Sequence, residues 1–223
     1  MDKPLSPVKI LEIISKQVNP LNPPVKSFEK SIRTSPFRIL ISVMLSARTK
    51  DQVTMEASKR LFNIADSPEK IVKLDINRIK ELIYPVGFFK QKSINILKIS
   101  EIVLKNGGEI PKSFEELTSL PGIGRKTANL VLALAFNIQS IAVDIHVFRI
   151  SKRLGWAHSE TPDKVESELK HLFPESSWSS LNQILVGFGQ TICKPRNPSC
   201  SICNISSYCH YSKEKNSSIN RAD

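Results

Sequence analysis

Apolar residues recur along this chain at helical rather than strand spacing. Val8, Leu11 and Ile14 fall on one face of Pro4 to Lys16, which predicts an amphipathic helix running into the proline-rich stretch Asn19 to Pro24. Ser35-Pro36 offers a cap and a first-turn proline for an apolar helix over Phe37 to Leu45. Thr49 and Gln52 have the spacing of a capping box for a helix carrying Val53, Ala57 and Leu61, and Ser67-Pro68 and Asp75 start two shorter helices. Pro85 and Gly87 interrupt the pattern before a long helix from about Gln91 to Lys105, which Gly107-Gly108 stop. Ser113 and Glu116 form another capping box, and the dense apolar run from Ala128 to Phe136 is long enough for a helix. Ile145, Phe148 and Leu154 repeat helically up to Gly155. Val165, Leu169 and Leu172 follow Thr161-Pro162 as far as Pro174, and a last helix spans Ser179 to Gly189. No useful period-two alternation appears, so the fold class is all-α.

Length and charge narrow the class. The 223 residues suit one large domain or two small ones with a real core. Lys and Arg number 32 against 21 Asp and Glu, a net charge of +11 that favours a polyanionic partner. No apolar run approaches the ~20 residues of a membrane span. The start, Met1-Asp-Lys-Pro-Leu-Ser, lacks the order of a secretory signal, so an intracellular, cytoplasmic and nucleoid-associated protein is expected.

The chemistry concentrates in Leu120-Pro-Gly-Ile-Gly-Arg-Lys-Thr-Ala128 and Ala142-Val-Asp-Ile-His146. Gly122 and Gly124 make the connector between two helices a tight hairpin whose backbone N–H groups, with a helix dipole behind them, suit a phosphate oxygen. Lys126 follows in the first turn, where the dipole disfavours a cation and makes an uncharged, nucleophilic amine easier to reach. Asp144 is placed to cap the next helix with one oxygen and turn the other outward. Lysine is most often a solvated charge and aspartate a common cap, so the chemistry rests on their combination.

Cys193, Cys200, Cys203 and Cys209 form C-x6-C-x2-C-x5-C and are all the cysteines of the chain. Bunched in this way in an intracellular protein, they read as metal ligands rather than disulfides, and four thiolates satisfy either tetrahedral zinc or a four-iron cluster. Lys194 to Ser199, between the first two, carries two cations that suit a phosphate backbone. The remainder, Ser212 to Asp223, is polar and predicted to be disordered.

The hairpin and Ile141-Ala-Val-Asp-Ile-His-Val-Phe-Arg149 resemble the helix-hairpin-helix and catalytic-aspartate segments of the endonuclease III family of DNA glycosylases. The resemblance covers about Phe28 to Tyr211. It implies a two-lobed fold, with residues 28–140 as the hairpin-bearing lobe and residues 1–27 plus 141–211 as the cluster lobe, and DNA across the cleft. It implies Lys126 as the nucleophilic lysine, Asp144 as the catalytic aspartate and a [4Fe-4S] cluster on the four cysteines. Gly122, Gly124, Arg125, Arg48, Phe88 and His146 become the candidate DNA contacts. Leu82 to Lys90 is similar to the loop that pushes an apolar side chain into the gap left by an extruded base, with Phe88 as the wedge and Lys90 and Lys92 in reach of phosphate.

Leu45-Ser-Ala-Arg-Thr-Lys-Asp51 resembles a further family segment, except that Arg48 stands where glutamine is usual. Arginine donates but cannot accept a hydrogen bond, which bears on opposite-base preference. Ile145 replaces a frequent threonine beside the aspartate. The expected activity is a bifunctional glycosylase and abasic-site lyase acting as a monomer on duplex DNA with oxidised pyrimidines or abasic sites. Its rivals are a monofunctional mismatch glycosylase of the same fold and a noncatalytic DNA-binding module.

Overall fold

Side-chain caps set where many of the helices begin. Ser6 accepts a hydrogen bond from the backbone N–H of Lys9 (3.3 Å), Ser35 from Arg38 (3.3 Å), Asp75 from Asn77 (2.7 Å) and Ser113 from Glu116 (3.2 Å). Each satisfies a first-turn donor that the helix leaves unpaired. The computed structural model describes residues 5–32 and 34–219, and no strand occurs among them. The helices are α1 Pro7–Val18, α2 Pro24–Ile32, α3 Pro36–Ser46, α4 Asp51–Ile64, α5 Pro68–Ile71, α6 Ile76–Ile83, α7 Phe89–Lys105, α8 Phe114–Ser119, α9 Arg125–Phe136, α10 Ile145–Leu154, α11 Pro162–Leu172, α12 Trp178–Thr191 and α13 His210–Ile219. The all-α class holds, and Pro4, expected to open the first helix, lies outside the described residues.

The chain forms two units, one of residues 27–138 and one of residues 1–26 and 139–223. In the first, α3 is central because it is apolar on every side: Phe37 and Ile39 to Leu45 are all buried. It packs against α9 and α4, meeting Ala128, Val131, Ala57 and Leu61 in one core. Fully buried side chains such as Leu40 and Ile41 contribute about 1.5–3 kcal/mol each. In the other unit α12 is central. It packs against α1 and α10, and Ile14, Ile150, Leu185 and Phe188 make the core. Trp156 and Phe173 close one side edge to face, with ring centres 4.9 Å apart.

Two local expectations are corrected. Thr49 does not cap α4, whose N-cap is Lys50 with no side-chain hydrogen bond; the Thr49 hydroxyl instead accepts the N–H of Gly87, far along the chain. The polar tail is helical from His210 to Ile219 rather than disordered from Ser212. Tyr211 lies under the Arg153 guanidinium, 4.4 Å from its ring centre, and Ser212 is buried, so α13 docks on α10. Residues 220–223 of that tail lie outside the described residues.

Candidate functional site

In the 27–138 unit the α8–α9 hairpin is anchored by Leu120 and Ile123, both buried, while Gly122 and Gly124 are exposed. Gly122 has φ +79°, and a Cβ there would stand 2.1 Å from the Asn95 side-chain nitrogen, so both conformation and space call for glycine. Asn95 itself is buried in α7 and accepts a hydrogen bond from the Gln91 amide at 3.0 Å. Gly124 is the N-cap of α9 and offers no capping side chain, which leaves the positive end of the dipole to external anions. Arg125 is exposed, its guanidinium 4.7 Å from the centre of the Phe114 ring, and exposed Lys126 follows in the first turn.

A second cluster in the same unit joins two loops. Arg48 and Phe88 both have left-handed backbone (φ +54° and +58°), and the Arg48 guanidinium lies 5.4 Å from the Phe88 ring centre. Phe88 is 63% exposed, unusual for a ring held in place by its backbone. Gly87 brings the loops together: a Cβ there would come within 2.6 Å of the Arg48 carbonyl oxygen. Its N–H donates to the Thr49 hydroxyl at 3.1 Å.

Lys92 does not reach toward phosphate, as its place beside the loop suggests. It is buried, and its ammonium donates to the carbonyl oxygens of Leu45 (2.8 Å) and Ala47 (2.6 Å), with the Thr49 hydroxyl at 3.4 Å. Burial lowers its pKa to about 8. The signal was present in the sequence, since Lys92 falls in helical register with Ile96, Ile99 and Val103, the buried face of α7. Lys90, by contrast, is exposed.

In the other unit, buried Ile141, Ala142 and Val143 carry the chain into α10, and Asn182 of α12 fixes this approach through the Ala142 carbonyl at 2.7 Å. Asp144 then caps α10: its Oδ1 accepts from the N–H of His146 (2.9 Å) and of Val147 (2.8 Å). One oxygen thus fixes the carboxylate. Ile145 is 75% exposed beside it, whereas the His146 ring is turned to Arg149, with Nδ1 3.2 Å from Nη2.

The four cysteines come together. They line one small cavity with Arg153, Phe188, Ile192 and Tyr211. Four thiols gathered in this way can supply either tetrahedral zinc or a four-iron cluster. Burial raises the Cys203 thiol pKa to about 11 and also raises that of Cys209, so thiolates there call for a compensating positive charge such as a metal centre supplies. Arg153 donates to the Cys193 sulfur (3.2 Å) and to the carbonyls of Lys194 (2.8 Å) and Pro195 (2.9 Å). Arg149 donates to the Cys193 carbonyl at 2.9 Å, and burial lowers its pKa while the Cys193 and Asp144 charges oppose that shift. These two arginines, four residues apart on α10, were not singled out from the sequence. Only their contacts distinguish them from surface cations.

Comparison with known proteins agrees with this geometry. A model of the HhH-GPD superfamily of base excision DNA repair proteins matches residues 41–175, and a model of the iron-sulfur binding domain of endonuclease III matches residues 193–209. The chain is 45% identical over 193 residues to Endonuclease III of Thermotoga maritima, covering 86% of this chain and 91% of that one. It is 41% identical to Endonuclease III of Rickettsia felis, covering 91% and 93%. Among solved structures it is similar to a non-covalent Endonuclease III–DNA complex, with a TM-score of 0.79 at 32% identity over 90% of this chain and 97% of that one. A trapped covalent Endonuclease III–DNA intermediate matches with a TM-score of 0.78, also at 32% identity, over 90% and 98%.

Proposed function

Because the chain belongs to the endonuclease III family, and is therefore a base-excision DNA glycosylase and abasic-site lyase with a [4Fe-4S] cluster, we propose that Lys126 is its nucleophile and Asp144 its catalytic carboxylate. The observation that carries this reading is the exposed Lys126 amine in the first turn of α9, directly after the glycine-capped hairpin. Amides of the hairpin hold a phosphate of the lesion strand, and Arg125 adds charge beside them. The damaged nucleotide leaves the stack, and Phe88 with Arg48 fills the gap it vacates, offsetting an unstacking cost of about a few kcal/mol.

The Lys126 amine, having given up its extra proton, attacks the sugar C1′ as the bond from C1′ to the base breaks, and the base departs with a proton. Asp144 accepts a proton from the amine or stabilises positive charge developing on the sugar. The C1′–O4′ bond then opens, with a proton passing from the nitrogen to O4′, and the Schiff base so formed acidifies the 2′ hydrogen. Its removal expels the 3′ phosphate, and water then releases Lys126. Asp144 suits the task because its cap bonds fix the carboxylate before substrate arrives. Cys193, Cys200, Cys203 and Cys209 hold the cluster, which when bound ties their loop to α10 and α12. The substrates we assign are oxidised pyrimidines such as thymine glycol, together with abasic sites, in duplex DNA, processed by a monomer in the cytoplasm.

Borohydride trapping on a thymine-glycol duplex and an abasic duplex tests this proposal. The wild type forms a covalent adduct on both, and Lys126→Ala forms none. An adduct that survives in Lys126→Ala overturns the nucleophile, and base release without any adduct overturns the Schiff base.

A further inference from the structure

Arg48 sits in the turn after α3 and Phe88 is the N-cap of α7, its carbonyl accepting the Lys92 N–H at 3.0 Å, and both keep left-handed backbone and one ring-to-guanidinium contact. Left-handed geometry costs a non-glycine residue energy unless its surroundings impose it. What imposes it here lies beneath. The Lys92 ammonium gathers the Leu45 and Ala47 carbonyls, which end α3 just before Arg48, and reaches the Thr49 hydroxyl just after it. That hydroxyl takes the N–H of Gly87, the residue before Phe88. Three links therefore join Lys92, Thr49, Gly87 and Phe88. One turn further along α7, Asn95 lies under Gly122 of the hairpin. A single helix face thus underpins both the wedge and the phosphate grip.

We propose that Lys92 is a positioning residue for base extrusion: through Thr49 and Gly87 it fixes Arg48 and Phe88 as one preassembled wedge, in register with the Gly122 hairpin. Its lone pair is not offered to substrate, because the amine is buried and its hydrogens point at three protein oxygens. The depressed pKa of this amine reflects that burial and is no mark of a second nucleophile. The arrangement also explains why a lysine stands in register with the buried Ile96, Ile99 and Val103. A neutral side chain there would take this donor from the Leu45 carbonyl and leave the Ala47 carbonyl only the Thr49 hydroxyl, at 3.3 Å. Preassembly matters because a wedge ordered only on binding has to lose its loop freedom at that moment, which weakens duplex engagement.

The inference rests on the family activity but not on which lysine attacks the sugar, so its readout avoids covalent chemistry. A duplex with a tetrahydrofuran abasic analogue and 2-aminopurine opposite it reports wedge insertion by fluorescence. Wild type, Lys92→Met, Lys92→Arg, Phe88→Ala and the Lys92→Met/Phe88→Ala double variant are compared. A parallel measurement takes the ratio of lyase kcat/KM on duplex to that on single-stranded abasic DNA, where no stack has to be opened. The expected result is a loss of most of the fluorescence change in Lys92→Met and about a tenfold fall in the duplex-to-single-strand ratio. Lys92→Arg recovers part of both, and the double variant is no worse than Phe88→Ala alone, as for residues acting through one element. Equal losses on duplex and single strand, or multiplied losses in the double variant, overturn the proposal. Should Lys92→Met fail to fold, Thr49→Val breaks the same chain of contacts one link later, and an unchanged duplex-to-single-strand ratio in that variant overturns it equally.

Discussion

Replacing Gly122 by alanine should damage the hairpin in two separable ways. The residue has φ +79°, where a Cβ costs about 1–2 kcal/mol. The new methyl would also lie 2.1 Å from Asn95 Nδ2 and 3.1 Å from its Cγ, an overlap that forces Asn95 out of a buried, hydrogen-bonded position. Overpacking of this kind costs about 1–3 kcal/mol. Together the terms come to about 2–5 kcal/mol, a large part of the roughly 5–15 kcal/mol that holds an ordinary domain together. Asn95→Ala removes both offending atoms, and the next nearest Asn95 atom is Cβ at 3.6 Å, an ordinary contact. The double variant therefore keeps only the backbone cost, and urea unfolding of the four proteins should give a favourable coupling of about 1–3 kcal/mol. Duplex affinity and its salt slope should weaken in Gly122→Ala and recover less than stability does, because the backbone turn stays strained. A Gly122→Ala protein within about 0.5 kcal/mol of wild type, or one that Asn95→Ala fails to rescue, would refute this account.

Other expectations follow from the same contacts. Asp144→Asn keeps an equally good cap, so its unfolding midpoint should stay close to wild type while glycosylase turnover falls about 10²–10⁴-fold, the usual worth of a positioned proton acceptor. Cys200→Ala should abolish the broad visible absorption of the cluster and destabilise the unit of residues 1–26 and 139–223; colour retained in full would show that Cys200 is not a ligand. Lys92 titrates near pH 8 when folded and near 10.5 when unfolded, so the unfolded chain binds more protons between those values. Its burial penalty is full at pH 7 and is relieved as pH rises through that window. Urea midpoints of the wild type measured against Lys92→Met should therefore improve from pH 8 to pH 10, and a flat difference would count against the buried charge.

Much of this was legible in the sequence because it is local. Ser35, Asp75, Ser113 and Asp144 cap helices within three residues of themselves, and short-range spacing reveals such pairs. The four cysteines announce a metal for the same reason. Thr49 has the right spacing for a cap, yet its hydroxyl goes to Gly87, 38 positions away, where no local rule can follow it. Lys92 reads as a solvated lysine in reach of phosphate because lysines usually meet solvent, although its register with Ile96 and Ile99 places it inside. The polar composition of the tail points to disorder, whereas Ser212 is buried and the helix runs on to Ile219. Arg149 and Arg153 carry no signature at all until the Cys193 loop folds onto them.

The pairing of α1 with α12 has a consequence for how a cell makes this protein. About 160 residues separate the two helices along the chain, and at the usual pace of translation, about 5–20 residues per second, α1 leaves the ribosome roughly 8–30 s before its partner. Through that interval Ile10, Leu11, Ile14 and Val18 have no finished surface to cover them, while residues 27–138 can already complete their own core. The apolar stripe of nascent α1 therefore stays uncovered by its native partner until the last quarter of the chain emerges.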